Sequence, residues 1–239
     1  MLITTNAIVL SKIKYKDNDL IVKCYTEQLG VVSFLLRGVL KSKKSTTKAA
    51  YFQSLSQLQL NIVHKDNRSL QTVTDTKVGQ FYSSLHTHVL KSAIVMFLAE
   101  VLSSTLKEEE PNETLYSYLE TALLWLDEQP EFSNFHLLFL LNLSKYLGFY
   151  PDTNDIDLPY FNLKEGRFET NPHADYTISG DNLILLKQLL GTTFDALQLV
   201  KINSKQRQSF LNMLLLYFEL HLGSFKPPKS LQIFNQVFN

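Results

Sequence analysis

The hydrophobic period of this chain changes at about Lys77, and that change limits what the chain can fold into. Before it, short β-rich runs are separated by turn signals; after it, apolar residues recur every three or four positions. Strands followed by helices predict an α+β protein. With 239 residues the chain has room for one large or two modest domains. We expect a strand domain at 1–76 and a helical domain at 77–239, interrupted by an irregular segment at 149–179.

Five strands are expected in the first part. Ala7 to Tyr15 is β-rich, and Tyr15-Lys16-Asp17-Asn18-Asp19 is a turn signal leading into Leu20 to Thr26, which makes a hairpin. Glu27-Gln28-Leu29-Gly30 turns the chain into Val31 to Arg37. Within Tyr51 to Val63, Leu58, Leu60 and Ile62 alternate onto one face, and a fifth strand runs from about Leu70 to Thr74. Five short strands in so few residues indicate a small closed barrel, and the five-stranded, partly open barrel is the OB-fold.

The helical part begins, on periodicity, at Lys77, with Val78, Phe81, Tyr82, Leu85, Val89, Ala93, Met96, Phe97 and Val101 as one buried stripe. A second helix starts near Pro111, and a third spans about Ser133 to Leu147 with Gly148 as its stop. Residues 149–179 carry three prolines and no helical period, and they are too long for an ordinary connection. Helices resume at about Asp181 to Leu190, Thr193 to Val200 and Ser204 to Leu222.

Composition narrows the class. At 45% hydrophobic and 19% charged residues the chain is a folded protein, not a disordered one. A single cysteine, Cys24, allows no internal disulfide and fits a reducing cytoplasm. The start lacks the pattern of a signal peptide, and the apolar runs are broken by Asn142, Lys145 and Glu219 before they reach membrane-spanning length. No membrane association is expected. Formal charge is zero, yet residues 1–48 hold nine Lys or Arg against three Asp or Glu, a net of +6. The remainder balances it at −6. A basic end implies a polyanionic ligand.

Enzymatic signatures are missing: neither phosphate-cradling glycine motif occurs, nor H-E-x-x-H, nor G-x-S-x-G. His86 and His88, two apart on an expected helix, point away from one another and cannot share an ion. Asp152, Asp155 and Asp157 read as turn residues, and Cys24 as a barrel-core residue. No catalytic residue, cofactor or metal is expected.

The segment Leu36 to Lys48, LRGVLKSKKSTTK, places five positive charges and no negative one in a row. Lysines also keep sheet edges soluble, which is the plain alternative. On an OB-fold, however, single strands are bound by a positive groove together with aromatic platforms. Candidate DNA-binding residues are therefore Lys12, Lys14, Lys16, Lys23, Arg37, Lys41, Lys43, Lys44 and Lys48, with Tyr15, Tyr25 and Phe34 as candidate platforms.

The order of these features, from TNAIVLSKIKYKDNDLIVKCYTEQLGVVSFLLRGVLKSKKSTTKAAYFQ to the helix ending L-G-F-Y-P-D, resembles the bacterial RecO family of recombination mediators over essentially the whole chain. The resemblance implies single-strand binding, annealing of complementary strands, and collaboration with RecR and the single-strand-binding protein in loading a recombinase. Duplex DNA is a further ligand that annealing would bring. Some members carry a four-cysteine zinc site after the L-G-x-x-P step; residues 149–179 here contain no cysteine, so zinc is not carried over. Apolar anchors must hold that segment instead, and Phe149, Tyr150, Leu158, Tyr160, Phe161, Leu163 and Phe168 are the candidates. The reading is a non-enzymatic DNA-repair mediator. A non-catalytic scaffold whose barrel binds a peptide or subunit is the alternative, and an enzyme built on the aspartate cluster is the third.

Overall fold

The structure is a computed structural model that describes residues 1–41, 49–106, 111–172 and 175–238. The chain forms two compact units, Met1–Glu128 and Gln129–Asn239.

The first unit is built on a five-stranded barrel of β1 (Leu2–Tyr15), β2 (Asp19–Thr26), β3 (Gly30–Leu36), β4 (Gln57–Val63) and β5 (Leu70–Val78). Its order is β1-β2-β3-β5-β4, and it closes through β4 on β1, with Leu2 opposite Val63 and Ile8 opposite Gln57. The barrel is closed, as five short strands in so few residues suggested. Every pairing is antiparallel except β3 with β5. Alternation supplies the interior: Leu20, Val22 and Cys24 face Val32, Phe34, Leu36, Leu58, Leu60 and Ile62 in one core. Both faces of β1 are covered: Ala7 and Val9 belong to that core, and Ile8 and Leu10, which lie outside it, are buried where the helix after the barrel packs on the strand.

Helices α1 (Val89–Thr105) and α2 (Glu113–Glu128) belong to the same unit. The Ser103 hydroxyl donates to the Leu10 carbonyl at 3.3 Å, and the Tyr25 hydroxyl of β2 donates to the Asn112 carbonyl at 3.1 Å. Asn112 also caps α2, its Oδ1 accepting the Leu115 N–H at 2.9 Å.

The helix expected from Lys77 begins twelve residues later. Residues 75–78 continue β5, with Val78 opposite Leu58. Beyond them, the Gly79 and Gln80 N–H groups donate to the Gln57 carbonyl, and those of Ser83, Ser84 and Leu85 donate to the Asp127 carboxylate at 2.7, 2.8 and 2.7 Å. Backbone donors committed to distant acceptors cannot join a helical ladder. The expected stripe is lost only in its first part, where Phe81 is 85% and Val89 73% exposed; Ala93, Phe97 and Val101 lie on the buried side of α1 with Ile94, Leu98 and Leu102.

The second unit is organised around α3 (Phe135–Tyr146), whose residues from Phe135 to Leu141 are all buried. Gly148, at φ +84°, reverses the chain after it, and the Phe149 N–H returns to the Ser144 carbonyl at 3.0 Å. Around α3 stand α4 (Gly180–Leu189), α5 (Ser204–His221) and α6 (Leu231–Val237). A capping box of Asn203 and Gln206 starts α5. The helix expected at Thr193 to Val200 is only a 3-10 turn, Leu197–Leu199, tightened by bonds such as Ala196 N–H to Thr193.

The segment 149–179 carries a small sheet, ordered β7-β6-β8, of β6 (Tyr160–Asn162), β7 (Arg167–Glu169) and β8 (Thr177–Ile178). Of the expected anchors, Phe149, Phe161, Leu163 and Phe168 are buried; Tyr150, Leu158 and Tyr160 are half-buried. The Phe161 and Phe168 rings lie 4.9 Å apart, and the Tyr217 hydroxyl donates to the Phe149 carbonyl at 2.8 Å. Gly166 is obligatory at the β6–β7 turn: its φ is +67°, and a Cβ there would stand 2.9 Å from the Tyr217 hydroxyl. Among the described residues no helix is long and apolar enough to cross a membrane.

Candidate functional site

The candidate basic residues of β1 and β2 fall into two groups. Past the register shift, Lys12 and Lys14 pair with Val22 and Leu20 and share their face of the hairpin, yet both are exposed. Lys16 is exposed in the turn at φ +53°, with its ammonium 5.4 Å from the centre of the Tyr15 ring. Lys23 pairs with Ser11 on the opposite face and is half-buried; its Nζ donates to the Ser103 carbonyl of α1 at 3.3 Å. The structure therefore separates Lys23 from Lys12, Lys14 and Lys16.

A second strand end joins the first group. Arg37 and Lys41 are exposed where the chain leaves β3. Here the Gly38 N–H donates to Asp19 Oδ1 at 2.8 Å, and the Leu40 N–H donates to the Asn18 carbonyl at 3.1 Å. These two bonds fasten the start of the basic segment to the turn that carries Lys16. Gly38 at φ +66° permits the bend, and the Lys41 N–H closes it on the Gly38 carbonyl at 3.1 Å. Lys43, Lys44 and Lys48 lie outside the described residues. Beside Arg37 runs a groove of about 270 Å³ between Leu36–Val39 and Val73–Thr76, floored in part by Phe52.

Two candidate aromatics are diverted to structure. Phe34 is fully buried in the barrel, and Tyr25 is 3% exposed, 6.1 Å from the Tyr116 ring, with burial raising its pKa against the opposing effect of the Asn112 bond. Cys24 is fully buried, and desolvation pushes its thiol far above the ordinary range, which removes it as a nucleophile.

His86 and His88 stand before α1, not on it. His86 Nε2 is 2.9 Å from the Ser54 carbonyl, and His88 occupies the N-cap position. Asp152, Asp155 and Asp157 are exposed; Asp152 accepts the Asn154 N–H at 2.9 Å, and Asp155 has φ +56° in the turn. Among the described residues no three His, Cys, Asp or Glu side chains are grouped to hold a metal.

The sequence did not reveal a polar clasp beside the barrel. Asp127, 7% exposed, takes three backbone N–H groups and the hydroxyls of Ser83 and Ser84, while Lys91 Nζ donates to the Asp127 carbonyl at 2.7 Å and to Ser84 Oγ at 2.8 Å. Burial raises the carboxyl pKa, but the hydrogen bonds from Ser83, Ser84 and Leu85 prevail and leave it lowered. An aspartate near a helix C-terminus works against the helix dipole, and that misfit was the available signal.

A closed five-stranded barrel preceding a helical half defines an OB-fold protein with an appended helical domain. Comparison with known proteins is specific about which. Residues 1–82 match the family described as recombination protein O N terminal, and residues 86–232 match recombination protein O C terminal. The chain belongs to the recombination protein O family. It is 50% identical over 238 residues to the DNA repair protein RecO of Christiangramia forsetii, covering all of both chains. It is similarly 45% identical to that of Flavobacterium johnsoniae and 36% identical to that of Bacteroides fragilis, again at full coverage of both.

Proposed function

We propose that this protein is a non-catalytic, cytoplasmic DNA repair and recombination mediator. Its barrel binds single-stranded DNA, helps complementary strands to anneal into duplex, and, with RecR and the single-strand-binding protein, assists in loading a recombinase. The observation that carries this reading is the fastening of Gly38 and Leu40 to Asp19 and Asn18, which gathers Lys12, Lys14, Lys16, Arg37 and Lys41 on one part of the barrel. Cations so gathered displace counterions from a strand without reading its bases, and they reduce the repulsion between two strands brought together.

Binding should therefore be steeply salt-dependent. About four phosphate contacts give a slope near −3 in log affinity against log salt, or a loss of about 50-fold between about 50 and 200 mM. Replacing Lys41, Lys43 and Lys44 by Ala should flatten that slope by about 2 and slow annealing, with the fold intact by circular dichroism. An unmoved slope in a folded triple variant rejects the basic segment as the DNA site. Retention on a protein partner alone, with no binding to single strands, favours the scaffold reading instead. For that reading the observation is the short β3–β5 contact, which pairs only Ser33 with Leu70 and Phe34 with Gln71 and leaves strand edge available to a peptide.

A further inference from the structure

Where β5 ends, the chain folds back on the start of β4: the Gly79 and Gln80 N–H groups both donate to the Gln57 carbonyl, at 2.9 and 3.3 Å. The Gln57 side chain reaches α2, its Nε2 donating to the Glu120 carbonyl at 3.1 Å. Between these elements, within the first unit, lies a cavity of about 270 Å³. At Gly79 its wall is bare backbone, and a Cβ there would stand 3.2 Å from the Gln57 oxygen. Tyr116 and Glu120, four residues apart and so on one face of α2, line the helix side. Glu120 is half-buried and has no ion-pair partner among the described residues, although Lys77, which is exposed, lines the same cavity. Asn6, also in the lining, donates its Nδ2 to Glu27 at 3.0 Å and so keeps a second carboxylate close by. Gln57, 2% exposed, has no hydrogen-bond partner for its Oε1, because the neighbouring Tyr82 hydroxyl gives its one proton to the Leu55 carbonyl at 3.2 Å. Burial, and after it the negative charges of Glu120 and Glu27, pushes the pKa of the Tyr116 hydroxyl far above its ordinary range. The cavity is thus rich in acceptors and short of positive charge.

We propose that this cavity is a binding site for a guanidinium group, that of an arginine. A half-buried carboxylate without a counter-charge calls for a cation, and a guanidinium adds five N–H donors in a plane for the carboxylate and the amide oxygens of Gln57, Gln59 and Gln80. It is also the more weakly hydrated of the two side-chain cations, and it favours an aromatic neighbour such as Tyr116. A phosphate chain meets the opposite field here and is turned away. The cavity is separate from the basic segment, since Asn6 and Lys12 stand six residues apart on β1, about 20 Å of strand. One barrel unit can therefore hold an arginine at this end and a nucleic-acid strand at the other.

The test titrates the isotope-labelled full-length protein with N-acetyl-argininamide, with free arginine and with N-acetyl-citrullinamide, which keeps the shape of the arginine side chain but not its charge, and follows backbone amide resonances. N-acetyl-argininamide should give saturable shifts centred on Gly79, Gln80 and Tyr116, and the citrulline compound none. Glu120→Gln keeps the shape of the side chain and should weaken binding by about tenfold or more, with the fold unchanged by circular dichroism. Tighter binding of free arginine than of the capped form supports the site and names the free amino acid as its ligand; equal or weaker binding of free arginine supports it and names an arginine within a partner protein. Equal shifts from the citrulline compound overturn the proposal, as do saturable shifts that Glu120→Gln leaves unaltered. No saturation by about 50 mM overturns it too. Single-strand binding, measured separately, stands or falls on its own.

Discussion

Asp19 stands among the cations of the candidate site with two other carboxylates, Asp17 of the same turn and Asp75 of the groove, and the bond it makes decides its role. Its Oδ1 accepts the Gly38 N–H at 2.8 Å and so positions Arg37 and Lys41. Charge alone and position make opposite predictions here. Asp19→Asn keeps an acceptor while removing a negative charge, and it should bind single-stranded DNA more tightly at low salt. Asp19→Ala removes the same charge together with the acceptor, and it should bind more weakly; titration of both variants by anisotropy checks the pair. Asp127 is a residue of the other kind, structural and away from the basic group. Replacing it with Ala strands the Ser83, Ser84 and Leu85 N–H groups and should cost about 3 kcal/mol in denaturant unfolding. Its carboxyl is held below the ordinary value in the folded protein, so its contribution is full above the unfolded pKa near 4 and is lost as pH falls through the folded value.

At the scale of elements, tertiary acceptors overrode local pattern in more than one place. The period-3.6 reading was right for α1 from Ala93 onward and wrong for its first turns, because Gln57 and Asp127 hold the N–H groups of residues 79–85. The short α6 went unpredicted, since seven residues carry too little periodic signal; it is held by Phe234, whose ring meets His136 of α3 edge-on at 4.8 Å. His136 is fully buried, and burial, aided by the Arg207 charge, pushes its pKa down to about 3. A histidine whose folded pKa lies below its unfolded value stabilises the fold above about pH 6.5, and that stabilisation falls away as pH drops toward the folded value. Stability of wild type should thus decline across that window by up to about 1.4 kcal/mol per pH unit more than that of His136→Leu. Urea melts of the two proteins at several pH values measure the difference, and parallel curves would deny His136 the part.

For the whole molecule, the distribution of charge takes a different form once the compact units are known. The basic first 48 residues and the acidic helix α2 lie in one unit, Met1–Glu128, which has fourteen basic and thirteen acidic residues. Gln129–Asn239 has nine and ten. The polarity is therefore internal to the barrel unit, and the second unit neither attracts nor repels a phosphate chain strongly at long range. A fragment of residues 129–239, which owns the buried α3 core, should fold cooperatively in a thermal melt and bind single-stranded DNA at least about tenfold more weakly than the whole chain. Comparable affinity would move the DNA site out of the barrel.

Hydrophobic alternation and turn residues by themselves determined that there would be five strands and then helices, because a pleated strand with one face buried admits a single choice of inward residues; Leu58, Leu60 and Ile62 are inside as their spacing requires. Net charge by position likewise marks Leu36 to Lys48 as the polyanion-binding candidate. Which cations share a surface was left to tertiary structure. Lys23 is indistinguishable from Lys12 and Lys14 in a sequence, yet the register shift after Val9 and the packing of α1 put it on the other face, bonded to Ser103. The same holds for the aromatic residues. Tyr15 and Tyr25 both lie on strands of the first hairpin, and the seating of α2 against β2 buries Tyr25 while Tyr15 stays exposed. Such choices depend on contacts between residues far apart in the chain, about which short-range pattern carries no information.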